Sequence, residues 1–285
     1  MVTGAPVVRV TTDPGHGGRW TSLSSGGREW LCHRDEPRRR WVRPGDAFAD
    51  AGGLEECVPT VRGGPDHGDA WSRPWTQDGD TASVRCPDFH LTRTLGVADG
   101  GVVADYRLTA EPGYRFLWAG HALLDVSEQG RIAVIEGAPG RLYRDGGSDW
   151  EAFAWPRAGV GDAATAAGGP DAPAVPPAPV SPDIRFDLLG PDDGTALGAI
   201  VDTARATVHD GRNTLEFALE APGQPVSVAV WRNLRGFPES APYRSIGVEP
   251  MLGRVFDLAA AGERDAARVP ATGEVRWRLT ITARP

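Results

Sequence analysis

Apolar and polar residues alternate along much of the chain. In residues 275–282 the odd positions are apolar and the even positions are arginine or threonine, a period of two that predicts a half-buried β-strand. The same period occurs in residues 215–220 and 226–230, and Pro222-Gly223 between these two runs predicts the turn of a β-hairpin. Further strands are predicted at residues 7–11, 81–85, 89–95, 102–109, 131–135, 184–188 and 197–203.

Glycine and proline punctuate these strands, with 37 glycines and 25 prolines in 285 residues. Only residues 251–263 have the three- and four-residue apolar spacing of a helix. No βαβ rhythm is present, so the pattern favours an all-β sandwich or barrel. Residues 159–182 are rich in alanine, glycine and proline, which predicts an extended loop. Because candidate motifs lie on both sides of it, we interpret residues 1–285 as one domain rather than two joined by a linker.

The composition excludes several classes of function. A net charge of −8 disfavours binding to nucleic acids or anionic membranes. No apolar run approaches the roughly 20 residues of a membrane span, and the first six residues do not resemble a signal peptide, so we expect a cytoplasmic protein. All 30 basic residues are arginine, which excludes a Schiff-base lysine, lysine-bound pyridoxal phosphate and a P-loop lysine.

Two groups of residues are predicted to have no chemical role. Cys32, Cys57 and Cys86 are odd in number and lack a C-x-x-C pair, so we expect no disulfide framework and three buried, inert thiols. The run Arg38-Arg39-Arg40 is surrounded by turn residues and is predicted to be a solvated loop.

One carboxylate and one histidine stand in unusual surroundings. Glu249 ends the apolar run at residues 245–248 and precedes Pro250, so we expect it on a stiff strand end. His121 is a polar residue within the apolar run at residues 116–124. A carboxylate and an imidazole are sufficient to move one proton off a hydroxyl and another onto a neighbouring oxygen.

A second histidine, His67, lies in the tight turn Pro65-Asp66-His67-Gly68, and Trp71 and Arg73 follow it. Aromatic faces pack on sugar rings and charged donors bind sugar hydroxyls, so these residues predict a sugar-binding surface. The alternative is a structural loop anchored by core tryptophans. Two histidines and Glu249 could also ligate zinc or iron, but no H-E-x-x-H or H-x-D pair fixes two ligands on one element, and we predict no metal.

Four segments occur in an order that resembles the aldose 1-epimerase (galactose mutarotase-like) family. They are Gly52-Gly53-Leu54-Glu55-Glu56-Cys57-Val58-Pro59-Thr60, Asp66-His67-Gly68, the run around His121, and Val248-Glu249-Pro250. The resemblance implies a large antiparallel β-supersandwich and a small-molecule sugar substrate, with no cofactor. It also implies that Glu249 is the general base, that His121 is the general acid, and that His67 and Arg73 hold the sugar.

Three other functions remain open at this point. A sugar-phosphate epimerase of the same family would need additional arginines, for which Arg62 and Arg73 are candidates. A non-catalytic carbohydrate-binding protein could use the same cleft, although Glu249 and His121 favour an enzyme. A divergent member of the family could act on an unusual glycoside in specialised metabolism.

Overall fold

The computed structural model describes residues 7–98, 100–144, 149–156 and 185–285. The predicted loop at residues 159–182 lies outside the described residues. That residues 1–285 form one domain stays a prediction. Two short 3₁₀ helices are formed, Pro37–Arg40 and Leu258–Ala260. The strands are β1 (Arg9–Asp13), β2 (Arg19–Ser25), β3 (Arg28–Glu29), β4 (Gly53–Cys57), β5 (Thr76–Asp78), β6 (Thr81–Arg85), β7 (Phe89–Ala98), β8 (Gly101–Ala110), β9 (Arg115–Phe116), β10 (Trp118–Leu124), β11 (Arg131–Ala133), β12 (Pro139–Arg144), β13 (Trp150–Ala154), β14 (Ala196–Val201), β15 (Arg205–Asp210), β16 (Asn213–Glu220), β17 (Val226–Leu234), β18 (Arg244–Leu252), β19 (Ala267–Arg268) and β20 (Glu274–Arg284).

Two antiparallel sheets contain nearly all of these strands. The first sheet has ten strands in the order β1-β2-β4-β10-β18-β17-β14-β12-β13, with β3 paired to β2. The second sheet has eight strands in the order β11-β15-β16-β20-β8-β7-β6-β5, and β9 and β19 form a separate pair. The sequence prediction of an all-β protein is therefore confirmed.

The alternation in β20 explains why the sheets pack on each other. Val275, Trp277, Leu279 and Ile281 are buried in the core, whereas Arg276 and Arg278 are exposed. Burial of each such apolar side chain contributes about 1.5–3 kcal/mol to stability. Nearly every residue of β10 and β18 in the first sheet is buried. One face of this sheet packs against the second sheet, and other segments of the chain cover the opposite face.

One ion pair is buried in the core between the sheets. Arg93 of β7 donates from Nη1 to Oε1 of Glu56 in β4 at 2.7 Å. The Tyr106 hydroxyl donates to the same oxygen at 2.9 Å, and the Trp118 indole donates to Oε2 at 2.8 Å. Both members of the pair are almost completely buried, so the three donors compensate the carboxylate for its lost hydration.

The predicted hairpin at Pro222-Gly223 is wrong, although the turn itself is formed. β16 belongs to the eight-stranded sheet and β17 to the ten-stranded sheet, so the chain crosses between sheets at this turn. A turn reverses the chain without determining which strands pair. The apolar residues of both strands, such as Phe217 and Val230, contribute to the same core from opposite sides.

Two other local predictions are also wrong. Residues 251–263 form no α-helix, because Leu252 packs in the core between the sheets while Val255 packs in a separate cluster. These side chains therefore diverge instead of sharing one helix face. In the described part of the predicted strand 184–188, Leu188 makes only an isolated bridge to Arg131.

The cysteine prediction is confirmed for Cys57 and Cys86, which are free and buried, whereas Cys32 is only partly buried. Burial raises the pKa of the Cys32 and Cys86 thiols to about 12, so both remain protonated at neutral pH. In the described part of the chain, we find no helix with the length and apolar character needed to cross a membrane.

Candidate active site

A cavity of about 380 Å³ opens on the ten-stranded sheet. The sheet residues that line it are His121, Leu123, Tyr143, Gly198, Trp231, Ser245 and Glu249. Their neighbours along the strands, such as Ala122 and Val248, belong to the core between the sheets. Since successive strand residues point to opposite faces, the cavity lies on the face that points away from the second sheet.

His121 and Glu249 form the centre of the cavity floor. β10 and β18 pair in a register that matches Ala119 with Met251 and Leu123 with Gly247, which puts His121 opposite Glu249. Their Nε2 and Oε1 atoms are 3.7 Å apart. The structure thus brings together the two residues that the sequence predicts as acid and base.

The sequence predicts Glu249 at a strand end, but the residue lies inside strand β18. Proline within a central strand removes one ladder hydrogen bond, and the pairing of β10 with β18 is interrupted at residues 120–122, opposite Pro250 and Glu249. On its other side β18 pairs continuously with β17, including Ala229 with Glu249. The interruption therefore falls at His121 and Glu249.

The Glu249 carboxylate is buried, and its Oε2 atom has no hydrogen-bond partner among the described residues. Burial raises the pKa of Glu249, while the positive charges of His121 and Arg62 oppose this shift. Gly247 leaves room for the side chain, because a Cβ at that position would lie 2.6 Å from Glu249 Oε1. An unpaired, buried carboxylate oxygen in a cavity is well suited to accept a proton from a ligand.

The environment of His121 favours the neutral imidazole, just as the environment of Glu249 favours the neutral carboxyl group. Burial lowers the pKa of His121; Glu249 opposes that shift, whereas His67 adds to it. The rings of His67 and His121 meet edge to face at 5.2 Å between centroids. Both predicted histidines therefore lie in one cavity.

A tight turn orients His67. Its backbone is in the left-handed region, with φ of 58°, which residues other than glycine rarely adopt. Its Nδ1 atom lies 2.8 Å from Oδ1 of Asp66, and its ring stacks on Phe48 with 3.7 Å between centroids. The Phe48 amide donates to Oδ2 of Asp66 at 3.2 Å.

Trp71 and Arg73, predicted to bind sugar, do not line the cavity. Trp71 is buried, and its indole donates to the backbone oxygen of Asp66 at 3.1 Å, so it supports the turn from behind. Arg73 pairs with Asp69 at 3.3 Å. The alternative reading of this segment, a loop anchored by core tryptophans, describes Trp71 better.

Arg62, considered above for phosphate binding, is half-buried and lines the cavity. Its positive charge opposes the rise in the pKa of Glu249 caused by burial, and it contributes to the lowered pKa of Asp66. It is therefore placed to bind an oxygen of a ligand close to the acid–base pair.

Arg39 overturns the prediction that the arginine run is a solvated loop. It is buried and binds Glu55 through two hydrogen bonds of 2.8 and 3.0 Å, and it also donates to the backbone oxygen of Trp71 at 3.0 Å. Glu55 lies beside His121 in the register of β4 with β10. No local pattern marks one arginine of three as buried, because its partner is supplied by the tertiary fold.

Several aromatic residues of the cavity were not foreseen. They are Phe48, Tyr143, Trp231, Phe237, Tyr243 and Phe256. Tyr143 contacts the Phe256 ring edge to face, with 4.7 Å between the ring centroids. Trp231 offered a usable signal, since it interrupts the small-residue face of β17 formed by Ser227 and Ala229.

Among the described residues, no group of three or more histidine, cysteine, aspartate or glutamate side chains is arranged to hold a metal ion. The chemistry that these residues offer is acid–base chemistry at Glu249 and His121, with a donor at Arg62 and a second imidazole at His67. The aromatic side chains supply apolar surface beside them.

Solved structures resemble this chain over almost its whole length. A "putative aldose 1-epimerase" from Escherichia coli K12 has a TM-score of 0.67 at 11% identity, covering 99% of this chain and 98% of that one. A galactose mutarotase related enzyme from Lactobacillus acidophilus has a TM-score of 0.60 at 11% identity, covering 98% and 95%. A "putative mutarotase" from Salmonella typhimurium has a TM-score of 0.59 at 17% identity, covering 98% and 88%.

These likenesses confirm the predicted fold class, an antiparallel β-sandwich of the galactose mutarotase type. No protein-family model matches the sequence, and no curated protein matches it.

Proposed function

We propose that this protein is an isomerase similar to aldose 1-epimerases, which interconverts the anomers of a reducing sugar by acid–base catalysis. The observation that carries the proposal is the 3.7 Å separation of Glu249 Oε1 and His121 Nε2 on the cavity floor. Two such groups can act on the two oxygens of one hemiacetal, since one accepts a proton while the other donates one. The fold shared with proteins named as epimerases and mutarotases supports the proposal in general terms.

In the proposed reaction, ionised Glu249 takes the proton of the anomeric hydroxyl and protonated His121 gives a proton to the ring oxygen. The bond between C1 and the ring oxygen breaks, and the electrons of the former O–H bond form the aldehyde carbonyl. Rotation about C1–C2 then exposes the other face of the carbonyl. The reverse proton transfers close the ring and restore both side chains, so the cycle needs no cofactor.

Other residues of the cavity would bind the sugar. Arg62 and His67 lie beside the acid–base pair. Arg62 can donate hydrogen bonds to the ring oxygen or neighbouring hydroxyls, and His67 can form a hydrogen bond with a hydroxyl. The indole of Trp231 offers an apolar face to the C–H groups of a pyranose. Arg62 would thus have the sugar-binding role that the sequence predicts for Arg73.

Measurement of anomer exchange by NMR or polarimetry tests this function. The panel should contain glucose, galactose, a 6-deoxyhexose and glucose 6-phosphate, each with and without the protein. Acceleration of exchange in any of them supports the proposal, and acceleration of the phosphorylated sugar alone identifies a sugar-phosphate epimerase. Binding without acceleration across the panel would instead identify a non-catalytic carbohydrate-binding protein.

The dependence of kcat/KM on pH should be a narrow bell. An ordinary glutamate and an ordinary histidine titrate near about 4.3 and about 6.5. The pKa of Glu249 is raised, so the loss of activity caused by its protonation should occur at a pH above about 4.3. The pKa of His121 is lowered, so the loss of activity caused by its deprotonation should occur at a pH below about 6.5. Rates measured from pH 4 to 9 check this expectation, and a flat profile would contradict an acid–base pair of this kind.

The variant Arg62→Ala should raise KM for a neutral hexose by about 10- to 100-fold and change kcat less. Loss of a charge-assisted hydrogen bond costs roughly 1.5–3 kcal/mol, and loss of binding shared by ground and transition states appears in KM. Arg73→Ala is the matched control, because Arg73 does not line the cavity. Kinetics with glucose and glucose 6-phosphate separate the two substrate classes, since a phosphate bound by Arg62 would suffer a much larger loss. An unchanged KM for every sugar would remove Arg62 from the binding site.

A further inference from the structure

The side chains of Phe48, Asp66 and His67 form a closed cluster at the cavity wall. Asp66 faces His67 through Oδ1, at 2.8 Å from Nδ1, and accepts the Phe48 amide hydrogen on Oδ2, at 3.2 Å. The Phe48 ring lies parallel to the imidazole, with 8° between the planes. Trp71 holds the backbone oxygen of Asp66. Carboxylate and imidazole are therefore both held in place by the fold.

The charge of Asp66 decides which nitrogen of His67 carries a proton. Burial would raise the pKa of Asp66, but the hydrogen bond and charge of His67, with the Phe48 amide and Arg62, hold it below its usual range. Asp66 is thus ionised at neutral pH and can only accept hydrogen bonds. Nδ1 of His67 must then be the donor, which leaves Nε2 as the ring nitrogen available to a ligand in the cavity.

We propose that Asp66 is a positioning residue of the candidate active site, which fixes the tautomer and orientation of His67 so that Nε2 accepts a hydrogen bond from a hydroxyl of the bound sugar next to His121. The inference rests on the proposed function for its catalytic part. Without Asp66 the neutral imidazole could place its proton on either nitrogen and turn about its side-chain bonds. A carboxylate that orients a functional histidine commonly contributes about 10- to 100-fold to activity.

The chain contains a second Asp–His pair that serves as a control. Asp13 Oδ2 lies 2.9 Å from Nδ1 of His16, and neither residue lines the cavity. Asp66→Asn and Asp13→Asn therefore make the same chemical change at similar pairs, one at the cavity and one away from it. Asparagine has nearly the shape of aspartate and can still accept the Phe48 amide hydrogen, so the turn should remain folded.

The experiment combines kinetics with ¹⁵N NMR of the imidazole rings. Asp66→Asn should lower kcat/KM by about 10- to 100-fold and shift the His67 nitrogen signals away from the form with the proton on Nδ1. Asp13→Asn should change neither kcat/KM nor the His67 signals. Unchanged His67 signals in Asp66→Asn would overturn the proposal.

Because Asp66 itself lines the cavity, direct contact with the sugar is the competing explanation. The double variant His67→Asn/Asp66→Asn separates the two. If Asp66 acts through His67, the Asp66→Asn change should lower kcat/KM no further once His67 is gone. An additional loss of tenfold or more would show that Asp66 acts directly. If the wild-type protein accelerates anomer exchange of no sugar, the proposed function fails, while the NMR comparison still decides whether Asp66 sets the state of His67.

Discussion

Replacement of Glu249 with glutamine is expected to lower the rate of anomer exchange by about 10³- to 10⁴-fold, the upper part of the range for an acid–base residue. An amide cannot take the proton of the anomeric hydroxyl. The other carboxylate beside His121 in the sheet, Glu55, is held by two hydrogen bonds from Arg39 and does not line the cavity. NMR exchange measurements on wild type and variant check this result.

The same substitution should leave the fold intact or stabilise it. The Glu249 carboxylate is buried with one oxygen unpaired among the described residues, and burial of an uncompensated charge is unfavourable. We therefore expect an equal or higher midpoint of thermal unfolding for Glu249→Gln. Glu216→Gln, at a strand of the second sheet, serves as a control that should keep full activity. Near-normal exchange in a folded Glu249→Gln variant would remove Glu249 as the base.

Replacement of Arg93 with methionine is expected to lower the free energy of unfolding by about 3–5 kcal/mol, as when one member of a buried ion pair is removed. The loss arises because the Glu56 carboxyl group would stay buried between the sheets with only the Tyr106 hydroxyl and the Trp118 indole to bind it. Equilibrium unfolding in urea measures the change.

Two further variants test that explanation. Arg278 pairs with Asp105 on the exposed face of the second sheet, so Arg278→Met should change stability little. The double variant Glu56→Gln/Arg93→Met removes both charges, and it should be more stable than Arg93→Met alone. A loss for Arg93→Met no larger than that for Arg278→Met would contradict a structural role for the buried pair.

The sequence predicts the fold class because alternation is a local property that survives in the folded chain. The odd and even positions of β20 face core and solvent as the pattern indicates. His121 and Glu249 are predicted to share a site for a related reason, since each is a polar residue in an apolar strand and both lie in segments that resemble one family. Their meeting in one cavity follows from the order of the strands in the sheet.

Other features depend on contacts that no local pattern encodes. Pro222-Gly223 marks a turn, but the sheet that receives β17 is decided by the pairing of β17 with β14 and β18. Arg39 is buried because the folded chain places Glu55 where it accepts hydrogen bonds from the guanidinium group. The spacing of Trp71 and Arg73 after His67 suggests a common surface, yet the turn directs these side chains away from the cavity that His67 lines.

The position of β18 in the middle of the ten-stranded sheet has a consequence for how the candidate active site is assembled during folding. His121 and Glu249 are far apart in the chain, and they meet only when β18 has inserted between β10 and β17. Pairings between remote segments close late and slowly in β-rich proteins. A refolding chain that has buried its tryptophans but lacks this strand holds an imidazole with no carboxylate opposite it. Recovered catalysis would therefore count only the fully assembled molecules, which makes it a stricter measure of refolding yield than fluorescence.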